Sequence, residues 1–111
     1  MQEEDFKLLA SFLRKNRLLG EHTRLLIMIL LYLNGRMKFT ELQRILGLTP
    51  GNLAGHIKKL RDEGYIRVRK TYVFEIRPAT IIEITPDGAK KLLEFMNKLA
   101  ELLEYIKKKN I

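Results

Sequence analysis

Residues 39–64 read FTELQRILGLTPGNLAGHIKKLRDEG, and this stretch decides the fold. Phe39, Leu42, Ile45 and Leu46 recur at three- and four-residue spacing, the pattern of a helix with one apolar face. Gly47 follows, where helices commonly end in a left-handed residue that glycine adopts without steric cost. Thr49 offers a hydroxyl to free backbone N–H groups, and Pro50 suits the first helical turn, where its missing N–H is not needed. Leu53, Ile57 and Leu60 make the inner stripe of a second helix, which Gly64 stops. Two short helices joined by a tight turn predict a helix–turn–helix.

The remaining positions of that second helix include Gly51, Asn52, Gly55, His56, Lys58 and Lys59. Each glycine inside a helix costs about 1 kcal/mol relative to alanine, and a helix kept only for packing gains nothing from two of them. A face of small residues can approach another surface closely. Amide, imidazole and ammonium groups there can hydrogen-bond to base edges and phosphates.

Working outward, the whole chain of 111 residues fits one domain, and its 46% hydrophobic and 31% charged content is that of a globular protein. It has no cysteine, which excludes disulfides and thiolate metal sites. The longest apolar run, Leu25 to Leu33, falls short of the ~20 residues a bilayer crossing needs. The start, MQEEDFK, is acidic and unlike a signal peptide. The expectation is a cytoplasmic protein with no membrane contact. Net charge is +8, and the stretch from Arg36 to Arg77 holds ten basic and four acidic residues. A basic middle attracts polyanions and makes their binding salt-dependent. Lys and Glu are plentiful and Gln scarce, a thermophile-like balance.

Before the helix–turn–helix, residues 3–18 predict a first helix with Phe6, Leu9, Ala10 and Leu13 on one stripe. Its acidic start and basic end suit the helix dipole. Thr23 to Leu33 predicts a second helix, capped by Thr23. The unbroken apolar run from Leu25 predicts burial on all sides. After Gly64 the period becomes two. Ile66 and Val68 alternate with Arg67 and Arg69, and residues 80–85 form a second strand with Ile82 and Ile84 on one face. They pair as a hairpin whose tip spans residues 71–79, a basic wing behind the helix–turn–helix. From Pro86 a long helix runs towards Lys109. Ala89, Leu92, Met96, Leu99, Leu103 and Ile106 are spaced as a heptad seam, suited to a second copy of the chain.

Catalysis has little support. There are two histidines, and His56 has no carboxylate at dyad spacing. His22 reads as a cap or surface residue rather than a metal ligand. No glycine-rich phosphate loop is present. The chain reads as no enzyme, with no cofactor and no metal.

Residues 23–88 resemble the winged-helix domains of MarR-like and ArsR-like prokaryotic transcriptional regulators. The strings FTELQRILGLTPGNLAGHIKKLRDEGYI and ITPDGAKKL carry the likeness. It is most similar to small regulators of archaea and bacteria in which (S/T)xxNLSxHLKxLExxGY precedes a wing and LTPxG. Those positions here are Thr49, Asn52, Leu53, Ala54, His56, Ile57, Lys58, Leu60, Gly64 and Tyr65, then Ile84 to Gly88. The resemblance implies a homodimer whose terminal helices pair and whose recognition helices enter successive major grooves of double-stranded DNA. The chain departs from the pattern at its wing tip. Tyr72, Val73, Phe74 and Ile76 put apolar residues beside Arg77-Pro78, where the pattern is often glycine-rich.

The expected fold is therefore mainly α with a small β-hairpin. Residues 1–20 form an N-terminal helix, 21–88 the winged-helix core and 89–111 a dimerisation helix. The recognition helix, 50–63, meets the major groove and the wing, 66–84, lies near the minor groove. Asn52 and His56 are candidates for base edges, with Thr49, Pro50, Gly51 and Gly55 allowing close approach. Lys38, Thr40, Arg44, Lys58, Lys59, Arg69 and Arg77 are candidates for phosphates, Arg77 also for the minor groove. Phe6, Leu9 and Leu13, with Leu92, Met96, Leu99, Leu103 and Ile106, are candidates for dimerisation. A cleft beside the terminal helices could take an apolar small-molecule effector, though no residue set identifies one. A winged helix used for protein–protein contact in a transcription or assembly complex predicts the same fold, and RNA binding uses the same charge.

Overall fold

The computed structural model describes residues 2–73 and 77–109. Its elements run α1 (Glu3–Lys15), α2 (Arg17–Gly20), α3 (His22–Asn34), β1 (Arg36–Lys38), α4 (Phe39–Leu46), α5 (Pro50–Asp62), β2 (Ile66–Val73), β3 (Arg77–Ile84) and α6 (Pro86–Lys109). The helix–turn–helix is α4–α5 and the wing is β2–β3, a mainly helical fold with one small antiparallel sheet as the sequence predicts.

Apolar spacing puts one stripe of each helix on a shared centre. Ile27, Met28 and Leu31 of α3, Leu42 of α4 and Leu53 and Leu60 of α5 have no exposed surface, and they close on Met37, Ile66 and Ile82 of the sheet. Each such side chain contributes about 1.5–3 kcal/mol by leaving water. Leu92 and Phe95 of α6 and Leu19 of α2 join the same core. Phe95 also stacks on Phe12 of α1, ring centroids 5.5 Å apart.

The sheet has three strands in the order β1-β3-β2, so the wing gains a third strand that the sequence reading missed. Three residues are too few to show a period of two. Register puts Met37, Ile82 and Val68 in one inward row. The hairpin strands reach closer to the tip than expected, pairing Val73 with Arg77. Of the apolar tip residues, Tyr72 is exposed, while Phe74 and Ile76 lie outside the described residues.

The first helices need three corrections, two of boundary and one of burial. The first helix ends at Lys15, because Asn16 turns its side-chain Nδ2 back to donate to the Phe12 carbonyl at 2.8 Å; α2 then restarts the chain. The cap of α3 is Glu21, not Thr23: its carboxylate accepts from the Arg24 N–H at 2.8 Å. Nor is α3 buried on all sides. Leu26, Tyr32 and Leu33 are 44%, 43% and 73% exposed, because the domain covers only one flank of that helix.

The turn after α5 and the start of α6 lock together. Gly64 takes φ +78°, and the Tyr65 N–H donates back to the Leu60 carbonyl at 3.0 Å. Thr85 Oγ1 donates to the Gly64 carbonyl at 2.6 Å and accepts from the Gly88 N–H at 3.0 Å, capping α6. From there α6 runs 24 residues, about 36 Å at 1.5 Å per residue. The molecule measures 60 × 26 × 26 Å, so that helix reaches beyond the body it packs on.

Candidate nucleic-acid interface

α5 is anchored from behind and open in front. Thr49 Oγ1 accepts from the Asn52 N–H at 3.2 Å and Pro50 opens the first turn. Leu53, Ile57 and Leu60 are 0%, 5% and 0% exposed. Pro50, Gly51, Asn52, Ala54, Gly55, Lys58 and Lys59 are all exposed. A Cβ added at Gly51 or Gly55 would find nothing within 4 Å, and neither residue has a positive φ. The protein's own packing therefore does not require glycine at either place, and both leave bare backbone on the outer face.

The charges here are not equally free. Lys58 Nζ donates to Asp62 at 2.8 Å, and that hydrogen bond holds the Asp62 carboxyl below the usual carboxylate range. Among the described residues no carboxylate lies within 4 Å of Lys59. Thr40 and Arg44 are exposed on α4.

Lys38 and Arg69 belong to a different surface. Lys38, Ile81 and Arg69 form one row across the sheet, and Arg36, Glu83 and Arg67 the next. Alternation turns both rows away from the core that Met37, Ile82 and Ile66 face. The outward side of the sheet thus carries four cations around one carboxylate, with Arg69 Nε 3.6 Å from Glu83. Arg36 and Arg67 were not singled out from sequence; the missing third strand hid Arg36, while the alternation of β2 already pointed Arg67 outward. Arg77 begins β3 at the wing's end.

His56 departs from its neighbours. Its side chain is 17% exposed, and Nδ1 stands 3.2 Å from Arg24 Nη1 and 3.7 Å from Glu21 Oε2. Burial pushes the imidazole below its ordinary pKa; Glu21 opposes this and Arg24 and Lys59 reinforce it. For Glu21, burial pushes upward, but N–H bonds from Arg24 and Thr23 outweigh it and the carboxyl sits low. Arg24, one cation within an apolar helix, was the overlooked signal for this cluster.

The dimerisation candidates fall into two groups. Phe6, Leu13, Met96, Leu103 and Ile106 are 55%, 47%, 38%, 50% and 48% exposed, joined by Leu8 and Leu93. Leu9 and Leu99 are half-buried. Leu92 is a correction: at 2% exposed it fills the protomer's own core and is not available to a second copy. Among the described residues no three acidic, histidine or cysteine side chains gather as a metal site. No described helix is long and apolar enough to cross a membrane.

Comparison with known proteins agrees with the fold. The profile of the winged helix DNA-binding domain matches residues 23–105. An uncharacterised protein of Methanocaldococcus jannaschii is 38% identical over 84 residues, 76% of this chain and 87% of that protein. A transcriptional regulator homologue from Pyrococcus horikoshii OT3 superposes with a TM-score of 0.81 at 35% identity, over 88% of this chain and 95% of the other. A MarR mutant from E. coli shares the fold at 16% identity, TM-score 0.68, over 95% and 82% of the two chains.

Proposed function

The chain belongs to the winged helix DNA-binding domain family, and from that premise we propose that it is a sequence-specific, homodimeric regulator of transcription. α5 enters the major groove of a duplex, and the wing lies along the flanking minor groove. The observation that carries this reading is the outer face of α5, where two glycines without a packing reason sit among Asn52, Lys58 and Lys59. A protein partner would favour an apolar or acidic face; this one is polar and cationic. Phosphate contacts from Lys59, Arg44 and Thr40 set the register of the helix, and Asn52 reads base edges.

Homodimerisation is supported by the exposed apolar side chains of α1 and of α6 beyond its core-packed start. Leu93, Met96, Leu103 and Ile106 recur along one helix that outreaches the body of the protein. A two-fold pair of such chains presents two recognition helices to one duplex, which is how half-sites a helical turn apart are read. Titration of a fluorescent duplex carrying the promoter upstream of the chain's own gene, at two salt concentrations, tests the reading. Saturable binding that outcompetes random duplex and weakens steeply with salt is expected. Binding equal to that of random sequence would refute the specificity.

A further inference from the structure

Arg24 lies beneath the outer face of α5, yet it decides what His56 can offer there. Its buried guanidinium donates from Nε to the Leu18 carbonyl at 2.7 Å and from Nη2 to the Arg17 carbonyl at 3.3 Å. Those bonds fix the group with Nη1 at 3.2 Å from His56 Nδ1. A guanidinium has only donors and keeps its proton in proteins, so Nδ1 must accept with its lone pair. Glu21 Oε2, 3.7 Å away, is too far to draw a proton onto Nδ1 and already accepts from the Arg24 backbone. A neutral imidazole that accepts at Nδ1 carries its hydrogen on Nε2. Nε2 has no protein partner among the described residues, where no half-buried polar side-chain atom is both sealed from solvent and unpaired. The Nε2–H therefore remains available at the surface.

We propose that Arg24 is a positioning residue of the recognition helix, holding His56 as a donor-only contact to an acceptor atom of the duplex. The proposal rests on reading α5 as the DNA-contacting helix. In the major groove the acceptors are purine N7, guanine O6 and thymine O4, whereas the cytosine and adenine amino groups are donors. His56 held this way favours the first set and rejects the second; a phosphate oxygen has the same acceptor chemistry. Burial keeps the ring neutral, as the arrangement requires, with Lys59 and Arg24 reinforcing it and Glu21 opposing.

The test is direct because the chain has two histidines, and only His22, exposed with Nδ1 3.3 Å from Glu21 Oε1, has to be assigned apart from His56. Imidazole nitrogen NMR of the free full-length chain at pH 7.5 is expected to show His56 protonated at Nε2 alone. Arg24→Met should leave mixed tautomers and lower the preference for sites selected from a random duplex pool about three- to tenfold, with non-specific affinity kept. A uniform loss across all sequences instead identifies a phosphate oxygen as the acceptor, within the same proposal. An Nδ1–H ring in the parent, or a folded Arg24→Met with unchanged tautomer and binding, overturns it. Should Arg24→Met not fold, His56→Ala decides: binding equal to the parent's overturns the proposal. A parent that binds no duplex at all sinks the proposed function, while the spectrum still reports separately on the Arg24–His56 contact.

Discussion

A Cβ on Gly88 would stand 2.1 Å from the carbonyl oxygen of Tyr65. The backbone of Tyr65, just before the wing, and the first turn of α6 touch directly, with Thr85 bridging to Gly64 beside them. This contact ties the end of the helix–turn–helix to the long terminal helix. Gly88→Ala must push backbone away from backbone, and an overpacked core typically loses about 1–3 kcal/mol. Denaturant unfolding measures it. A variant as stable as the parent would mean that the junction yields freely.

Gly55 poses the opposite case. A methyl group there meets nothing within 4 Å, so Gly55→Ala should stabilise the fold by about 0.5–1 kcal/mol through helix propensity. The same methyl stands between α5 and any groove it enters, so duplex affinity should fall while stability rises. Unfolding curves and a binding titration on one preparation check both signs. A gain in stability with affinity unchanged would remove the glycines from the interface.

Acid should weaken the fold through His56. Its folded-state pKa lies below the ordinary value of 6.5, mainly through burial. The unfolded chain therefore binds more protons at this site, and stability rises with pH across that window. The contribution is complete above about pH 6.5 and is lost as pH falls through the lowered pKa. Glu21, also lowered, adds a loss of the same sign as pH drops below its ordinary 4.5. Urea midpoints at pH 7.5 and 5.5 should drop in the parent and drop less in His56→Gln. Equal slopes would assign the effect elsewhere.

Paired Leu103→Lys and Ile106→Lys changes place charge on the exposed end of α6, far from the core residues Leu92 and Phe95. Sedimentation should show the parent as a dimer and the variant as a folded monomer, with an unfolding midpoint that is lower than the parent's and independent of protein concentration. A variant that remains dimeric would move the pairing surface off that helix.

Much of this was legible because the decisive signals are local. The glycine after Leu46, the Thr49-Pro50 cap and the inward triplet Leu53, Ile57 and Leu60 each follow from their neighbours in sequence. What stayed hidden depends on distant partners. β1 exists because Met37 finds Ile82 forty-five residues later. The exposure of Leu33 depends on where the domain stops. The Arg24–His56 contact joins residues 32 apart; a lone arginine in an apolar helix signals that it has a partner, but not which residue that is. Phe95 fell outside a strict heptad yet packs in the core, since α6 presents a wider face to the body than a coiled-coil seam does.

The central claim is that the outer face of α5 meets the duplex, and paired titrations of Lys59→Ala and Asn52→Ala test it most directly. Both are exposed on α5, so neither change should disturb folding. With promoter and random duplexes at several salt concentrations, Lys59→Ala should weaken binding to every sequence and lower the salt slope by about one. Asn52→Ala should keep the slope and lose the preference for the promoter. If both variants bind both duplexes as the parent does, that face is not where DNA sits.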